Sequence, residues 1–191
     1  TKSGTGDLIL SGSNAFTGTL YISAGSVTLG AGGNTGSIAT SSTSIAANAS
    51  LRFNQNNTVN YNGTISGAGS LTQLGSGTVS LGGTNTYTGG TTIANGTLSL
   101  GSASAIGPAG TSAANGNITF SGGTLQYSAA NQFDYSGRFS TAANQAVSID
   151  TNGQDVTFAT ALTSSGGTLA KSGSGKLVLS AANTDRKSTR L

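Results

Sequence analysis

Residues 75–101 read GSGTVSLGGTNTYTGGTTIANGTLSLG, and residues 4–30 read GTGDLILSGSNAFTGTLYISAGSVTLG. The two align without a gap, Gly4 on Gly75, and a third copy, GSGKLVLSAANT, runs from 173 to 184. The copies thus stand at offsets of 71 and then 98. Within them Leu8/Leu10, Val79/Leu81 and Leu177/Leu179 hold matching apolar positions, while Ile9, Ser80 and Val178 between them vary freely. Apolar residues at every second position describe a strand with one buried and one solvated face. Leu8/Leu10, Val79/Leu81 and Leu177/Leu179 are therefore expected inward, as are Val27/Leu29, with Ile9, Ser80 and Val178 outward. Each apolar pair is short and flanked by Gly, Asn or Ser-Gly. Strands of that length cannot stand as isolated hairpins and need neighbours stacked on them. No stretch carries a helical period.

Composition agrees with a folded all-β chain. Of 191 residues, 31 are Gly, 29 Ser and 29 Thr, and only 7% are charged, against roughly 25% in an average soluble domain. A disordered chain of this polarity would carry a high net charge and few β-branched residues, whereas Leu, Ile, Val, Phe and Tyr recur here at regular spacing. The formal charge is +3, but residues 185–191 hold three of the eight basic residues and one of the five acidic ones. That leaves five basic against four acidic residues over 1–184, too even a balance for a nucleic-acid footprint. No run of 18 apolar residues exists, so no segment reads as a membrane span.

Two architectures fit: a sandwich of hairpins, for which Asn-Gly pairs at 62–63, 95–96 and 152–153 are the usual signal, and a parallel solenoid. Offsets of 71 and 98 divide into three and four units of about 24 residues, room for three short strands and three corners. A nearly uncharged chain also suits a stack in which like side chains face one another. The expectation is a single-stranded parallel β-helix of roughly eight coils of about 24 residues.

The motif Gly-Ser-Gly-Thr at 75–78, Leu81, Asn85-Thr86-Tyr87-Thr88-Gly89-Gly90-Thr91-Thr92-Ile93 and Gly96-Thr97-Leu98 resembles the passenger-associated transport repeat of bacterial autotransporters. The first copy keeps Asn14, Phe16, Thr17, Gly18 and Ile22, with Thr19-Leu20-Tyr21 in place of Gly-Thr-Thr. The resemblance extends over residues 1–184. It implies a right-handed β-helix exported through periplasm and outer membrane by type V secretion in a Gram-negative bacterium. Its partner would be a C-terminal outer-membrane β-barrel of the same parent chain, and its place the cell surface. On that reading the segment is a structural stalk that assists secretion and folding and displays a distal domain. The alternatives are an adhesin segment that binds host or cell-surface ligands and, third, a polysaccharide-active β-helix enzyme.

The residues argue against chemistry. Without His or Cys a Ser-His-Asp triad has no base and a zinc site lacks its usual ligands. No catalytic, cofactor-binding or metal-binding residue is assigned, no cofactor is expected, and the segment is expected neither to bind nucleic acid nor to insert into a membrane. Asp150 and Asp155 flank Thr-Asn-Gly-Gln and read as turn carboxylates; Asp134 and Arg138 read as a surface ion pair of little worth. SGSGKL at 172–177 lacks the first Gly and the final Ser/Thr of a phosphate loop. Phe16 and Tyr87 share a repeat position and read as packing residues, and Asn14, Asn85 and Asn183 as partners of turn backbone. The third copy breaks after Thr184 into Asp185-Arg186-Lys187-Ser188-Thr189-Arg190-Leu191. This tail looks like the translation of a sequencing-adapter oligonucleotide. It is expected to be non-native and to pack against nothing, leaving 1–184 as the passenger fragment.

Overall fold

A computed structural model describes residues 1–107 and 117–183; the reading of the 185–191 tail lies outside the described residues. Every ladder joining the strands is parallel. The chain winds as a three-faced solenoid. The first face stacks β1 (Asp7–Leu10), β4 (Ser26–Leu29), β7 (Ser50–Phe53), β10 (Ser70–Gln73), β12 (Thr91–Ile93) and β14 (Ile118–Phe120). The second stacks β8 (Thr58–Tyr61), β11 (Thr78–Leu81), β13 (Thr97–Ser99), β15 (Thr124–Gln126), β16 (Ala146–Asp150) and β18 (Thr168–Ser172). The third carries β3 (Leu20–Ile22), β6 (Ser42–Ile45) and β9 (Thr64–Ser66), and further along β17 (Val156–Phe158) beside β19 (Leu177–Leu179). A short pair, β2 (Ser13–Asn14) with β5 (Ser37–Ile38), completes the first turns.

Alternation along the chain becomes a core because stacked strands keep their register. Val59, Val79, Leu98, Leu125 and Ile149 form one inward column, and all but the half-buried Val59 are sealed from solvent. Val27, Leu51 and Leu71 form another. Aromatic rings fill the corners edge to face: Phe53 with Tyr61 at 5.3 Å, and Phe120, Phe139 and Phe158 in a row at 5.2 Å per step. That geometry is favoured by the ring quadrupole. A 3₁₀ turn at Ser136–Arg138 interrupts the strands.

Two expectations are corrected. The solenoid has about seven turns, not eight. Asp7 stands beside Ser26, Ser26 beside Ser50, Ser50 beside Ser70, Leu71 beside Thr91 and Thr91 beside Ile118. Turns therefore differ in length, the step from Asp7 to Ser26 being the shortest of these and that from Thr91 to Ile118 the longest. The division by 24 fails because the copies do not sit above one another. The opening strand of the first copy is β1 on the first face, that of the second is β11 on the second face, and that of the third is β19 on the third. The first offset carries the motif three turns and one face onward, and the second carries it four turns and one face.

The second correction concerns the apolar pairs. Val79 and Leu81 are buried as expected, but Leu8 is 38% and Leu179 37% exposed, and Leu10 and Leu177 are half-buried. These four belong to the end turns, where a strand has a neighbour on one side only. Of the residues expected outward, Ile9 is exposed, and Ser80 and Val178 are half-covered.

Candidate functional site

What recurs in the three copies is a set of clasps between turns. Asn85 is fully buried. Its Oδ1 accepts the backbone N–H of Ile65 at 2.8 Å, and its Nδ2 donates to the carbonyl of Ala105 at 2.6 Å. One side chain thus ties the turn before it to the turn after it. Asn183 takes the N–H of Leu162 at 2.8 Å in the same way. Asn14, in the first turn, reaches the carbonyl of Ser37 in the following turn at 3.0 Å. The recurrent asparagines do bond to backbone, as expected, and the groups they serve lie mainly in neighbouring turns. Each buried amide left unpaired would cost about 1–3 kcal/mol.

A second clasp lies just ahead of the repeat start that the sequence suggests. Lys2 Nζ donates to the carbonyl of Gly4 at 2.7 Å, Gln73 Nε2 to that of Gly75 at 2.8 Å, and Lys171 Nζ to that of Gly173 at 2.7 Å. The signal was present: Lys2, Gln73 and Lys171 stand at the same offsets of 71 and 98. The residue type follows burial. Gln73 lies inside the stack between Phe53 and Ile93, where a lone ammonium would be costly, and a neutral amide takes the position. Lys2 and Lys171 occupy partly or fully exposed positions in the end turns and keep their charge in water.

The glycine corners complete the motif. Gly96 has φ +56° and Gly25 φ +67°. A Cβ at Gly96 would strike the carbonyl oxygen of Gly77, and one at Gly25 that of Gly6. In both copies the corner before the closing strand rests on the corner before the opening strand. β4 accordingly lies directly on β1, and β13 on β11. One repeat is a turn that stacks on itself.

Tyr87 is fully buried, with its hydroxyl 2.7 Å from Thr91 Oγ1, whereas Phe16, its counterpart in the first turn, is 42% exposed. Arg138 corrects an expectation. It is not in a surface pair with Asp134: the 3₁₀ turn carries it inward, where it is fully buried with its guanidinium 5.5 Å from the Tyr135 ring centre. Asp134 instead accepts the N–H groups of Ser136 and Ala159, each at 2.8 Å.

Burial raises the tyrosines. Desolvation pushes Tyr87 up to about 12 against the partial relief of its bond to Thr91, and raises Tyr61, Tyr127 and Tyr135 as well. A raised phenol is neutral in the folded state when the unfolded state has begun to ionise. The stabilisation is complete below pH 10, the ordinary value, and is lost as pH rises through the folded-state values. With no His or Cys, no side chain has its ordinary value between about pH 5 and 8. The urea midpoint should stay flat from about pH 6 to 9 and fall steeply above pH 10, tyrosinate absorbance rising together with loss of strand signal. Tyrosinate forming well before unfolding would contradict the buried phenols.

The carboxylates are engaged in holding the fold. Asp150 accepts the N–H of Asn152 at 2.9 Å and the amide of Gln126 at 2.9 Å, and Asp155 accepts the N–H of Lys176 at 2.7 Å. Asp7 accepts Ser26 Oγ at 2.8 Å and Thr28 Oγ1 at 3.0 Å, with Arg52 4.0 Å away. Among the described residues no three His, Cys, Asp or Glu side chains gather as a metal site would require. A shallow groove of about 340 Å³ runs past Ser70, Thr88, Thr92, Asn117 and Thr119. A second, of about 310 Å³, passes Ser13, Asn34, Ser37 and Asn57. Hydroxyls and amides line both, with no carboxylate in either.

Fold and clasps define the class: a parallel β-solenoid whose turns are locked by a recurrent motif. Residues 1–29, 71–100 and 169–184 match the model of the passenger-associated-transport-repeat family. The matches begin ahead of Lys2, Gln73 and Lys171 and so take in the upstream clasp. The chain carries the transport repeat and is, at that level, an autotransporter passenger segment. No curated protein and no solved structure matches it.

Proposed function

We propose that this chain is a non-catalytic stalk segment of a surface-displayed passenger, which assists its own export by folding turn upon turn and holds a distal domain away from the membrane. The parent's C-terminal outer-membrane barrel is its partner in cis, and the outer cell surface its place. The observation that supports this best is where the polar side chains are spent. Asn85, Gln73, Asp134, Asp150 and Asp155 all bond to backbone of their own or the adjoining turn, so the recurrent chemistry is directed along the stack. A general acid/base pair needs carboxylates free to meet a substrate, and these carboxylates are occupied.

The reading is tested in the parent passenger on whole cells. Excision of residues 71–100 is expected to lower surface display of a tag placed ahead of the segment, read by protease accessibility. Cell extracts should retain the undisplayed protein. Unchanged display, or depolymerisation of a polysaccharide by the purified chain, would refute the stalk reading.

A further inference from the structure

The first turn presents an apolar face that the same molecule covers elsewhere. Leu8 is 38% exposed, while Val79, its counterpart in the second copy, is 1% exposed; Phe16 is 42% exposed, while Tyr87 is 0%. Asn14 repeats half of the Asn85 clasp. It donates to the following turn, but its Oδ1 has, among the described residues, no backbone donor below it such as Ile65 N–H gives Asn85 and Leu162 N–H gives Asn183. Exposed core positions and a half-filled clasp coincide on one side of one turn. What their covered counterparts have, and they lack, is a turn beneath.

We infer that this lower face is a stacking interface for one further parallel β-turn, and that its occupant has the chemistry of the turn beneath the second copy. That turn is visible in the same molecule. Thr58–Tyr61 lies under Thr78–Leu81 in register, Val59 under Val79 and Tyr61 under Leu81. Ile65 supplies both the N–H to Asn85 and the carbonyl to the N–H of Thr86 at 2.8 Å. The occupant of the lower face therefore offers an inward β-branched residue under Leu8, an aromatic under Leu10, and a backbone N–H for Asn14 Oδ1. The join is also defined. Thr1 stands at the register of Thr72 and Lys2 at that of Gln73, and Lys2 pairs with Ile22 as Gln73 pairs with Ile93. A turn joined directly ahead of Thr1 in the same polypeptide meets this register. The inference does not depend on the secretion reading, because it concerns stacking in solution alone.

The test places a second copy of residues 52–71 directly ahead of Thr1 of the full chain, with a scrambled version of the same segment as control. Amide exchange at Leu8, Ile9, Leu10 and Phe16 is expected to slow by about tenfold or more in the ordered extension and not in the scrambled one. Thermal unfolding should shift upward, and Asn14→Ala should remove part of that shift. Extension amides that exchange as freely as the scrambled control, with the first turn unchanged, would overturn the inference. So would self-association of the unextended chain that Leu8→Asp abolishes, since the face would then belong to a second copy.

Discussion

Gly96→Val is expected to remove about 4 kcal/mol or more of stability, a large part of the roughly 5–15 kcal/mol that holds a typical domain together. Two costs coincide at this corner. Gly96 sits at φ +56°, where a β-branched residue is a true outlier and a strained backbone costs on the order of 1–3 kcal/mol. A Cβ there would also strike the carbonyl oxygens of Gly77 and Gly75, which belong to the turn below and cannot move without opening the β11–β13 ladder. Relief by a side-chain shift does not help, because the obstructing atoms are backbone. Gly18 provides the control: its φ lies outside the left-handed region, and no atom lies within 4 Å of the point a Cβ would occupy. Gly18→Val should change stability by no more than about 0.5 kcal/mol. Urea unfolding followed by far-ultraviolet circular dichroism separates the two. Equal midpoints for Gly96→Val and wild type would mean that the corners do not stack as described.

Asn85→Ala is the second large effect, at about 3 kcal/mol. Truncation removes both hydrogen bonds and leaves the Ile65 N–H and the Ala105 carbonyl without their buried partner. An orphaned buried polar group costs roughly 1–3 kcal/mol, and both groups lie in a part of the stack where water does not reach Asn85. Asn14→Ala should cost less than about 1 kcal/mol, because Asn14 clasps one turn only and its bonds are solvent-exposed. The same chemical change at two equivalent positions of the repeat thus has unequal consequences, read as the two urea midpoints. Equal losses would show that the asparagine acts within its own turn.

The period-2 pattern made the strands and their inward faces legible, because Val79, Leu81 and Leu98 are buried by the turns on both sides and nothing else competes for those positions. Asn-Gly pairs were ambiguous for a physical reason. Asn152 and Gly153 both adopt positive φ, and so does Gly96, which is what a tight turn demands whether the next strand returns antiparallel or moves on to the next face. Local turn chemistry sets the tightness of a corner and leaves the direction of the following strand to tertiary packing. The rotation of the copies was hidden as well, since an offset along the chain records whole turns and thirds of a turn alike. Arg138 was misplaced because Asp134 precedes it closely and looks like its partner, whereas the 3₁₀ turn sends the two side chains apart. Clasps that reach neighbouring turns, such as Asn85 to Ile65 and Ala105, have no local pattern to announce them.

Consecutive turns stack in parallel, one strand spacing apart, along a single axis; the whole account rests on that. Asn60, Ser80, Ser99, Gln126, Asp150 and Ser172 form one outward column on the second face. Spin labels at Asn60 and, in turn, at Gln126, Asp150 and Ser172 measure it by pulsed dipolar spectroscopy. Backbone separations should rise in equal steps of about 4.8 Å per turn, to about 24 Å between Asn60 and Ser172. Separations that alternate or fail to grow with turn number, as paired hairpins would give, would contradict the solenoid.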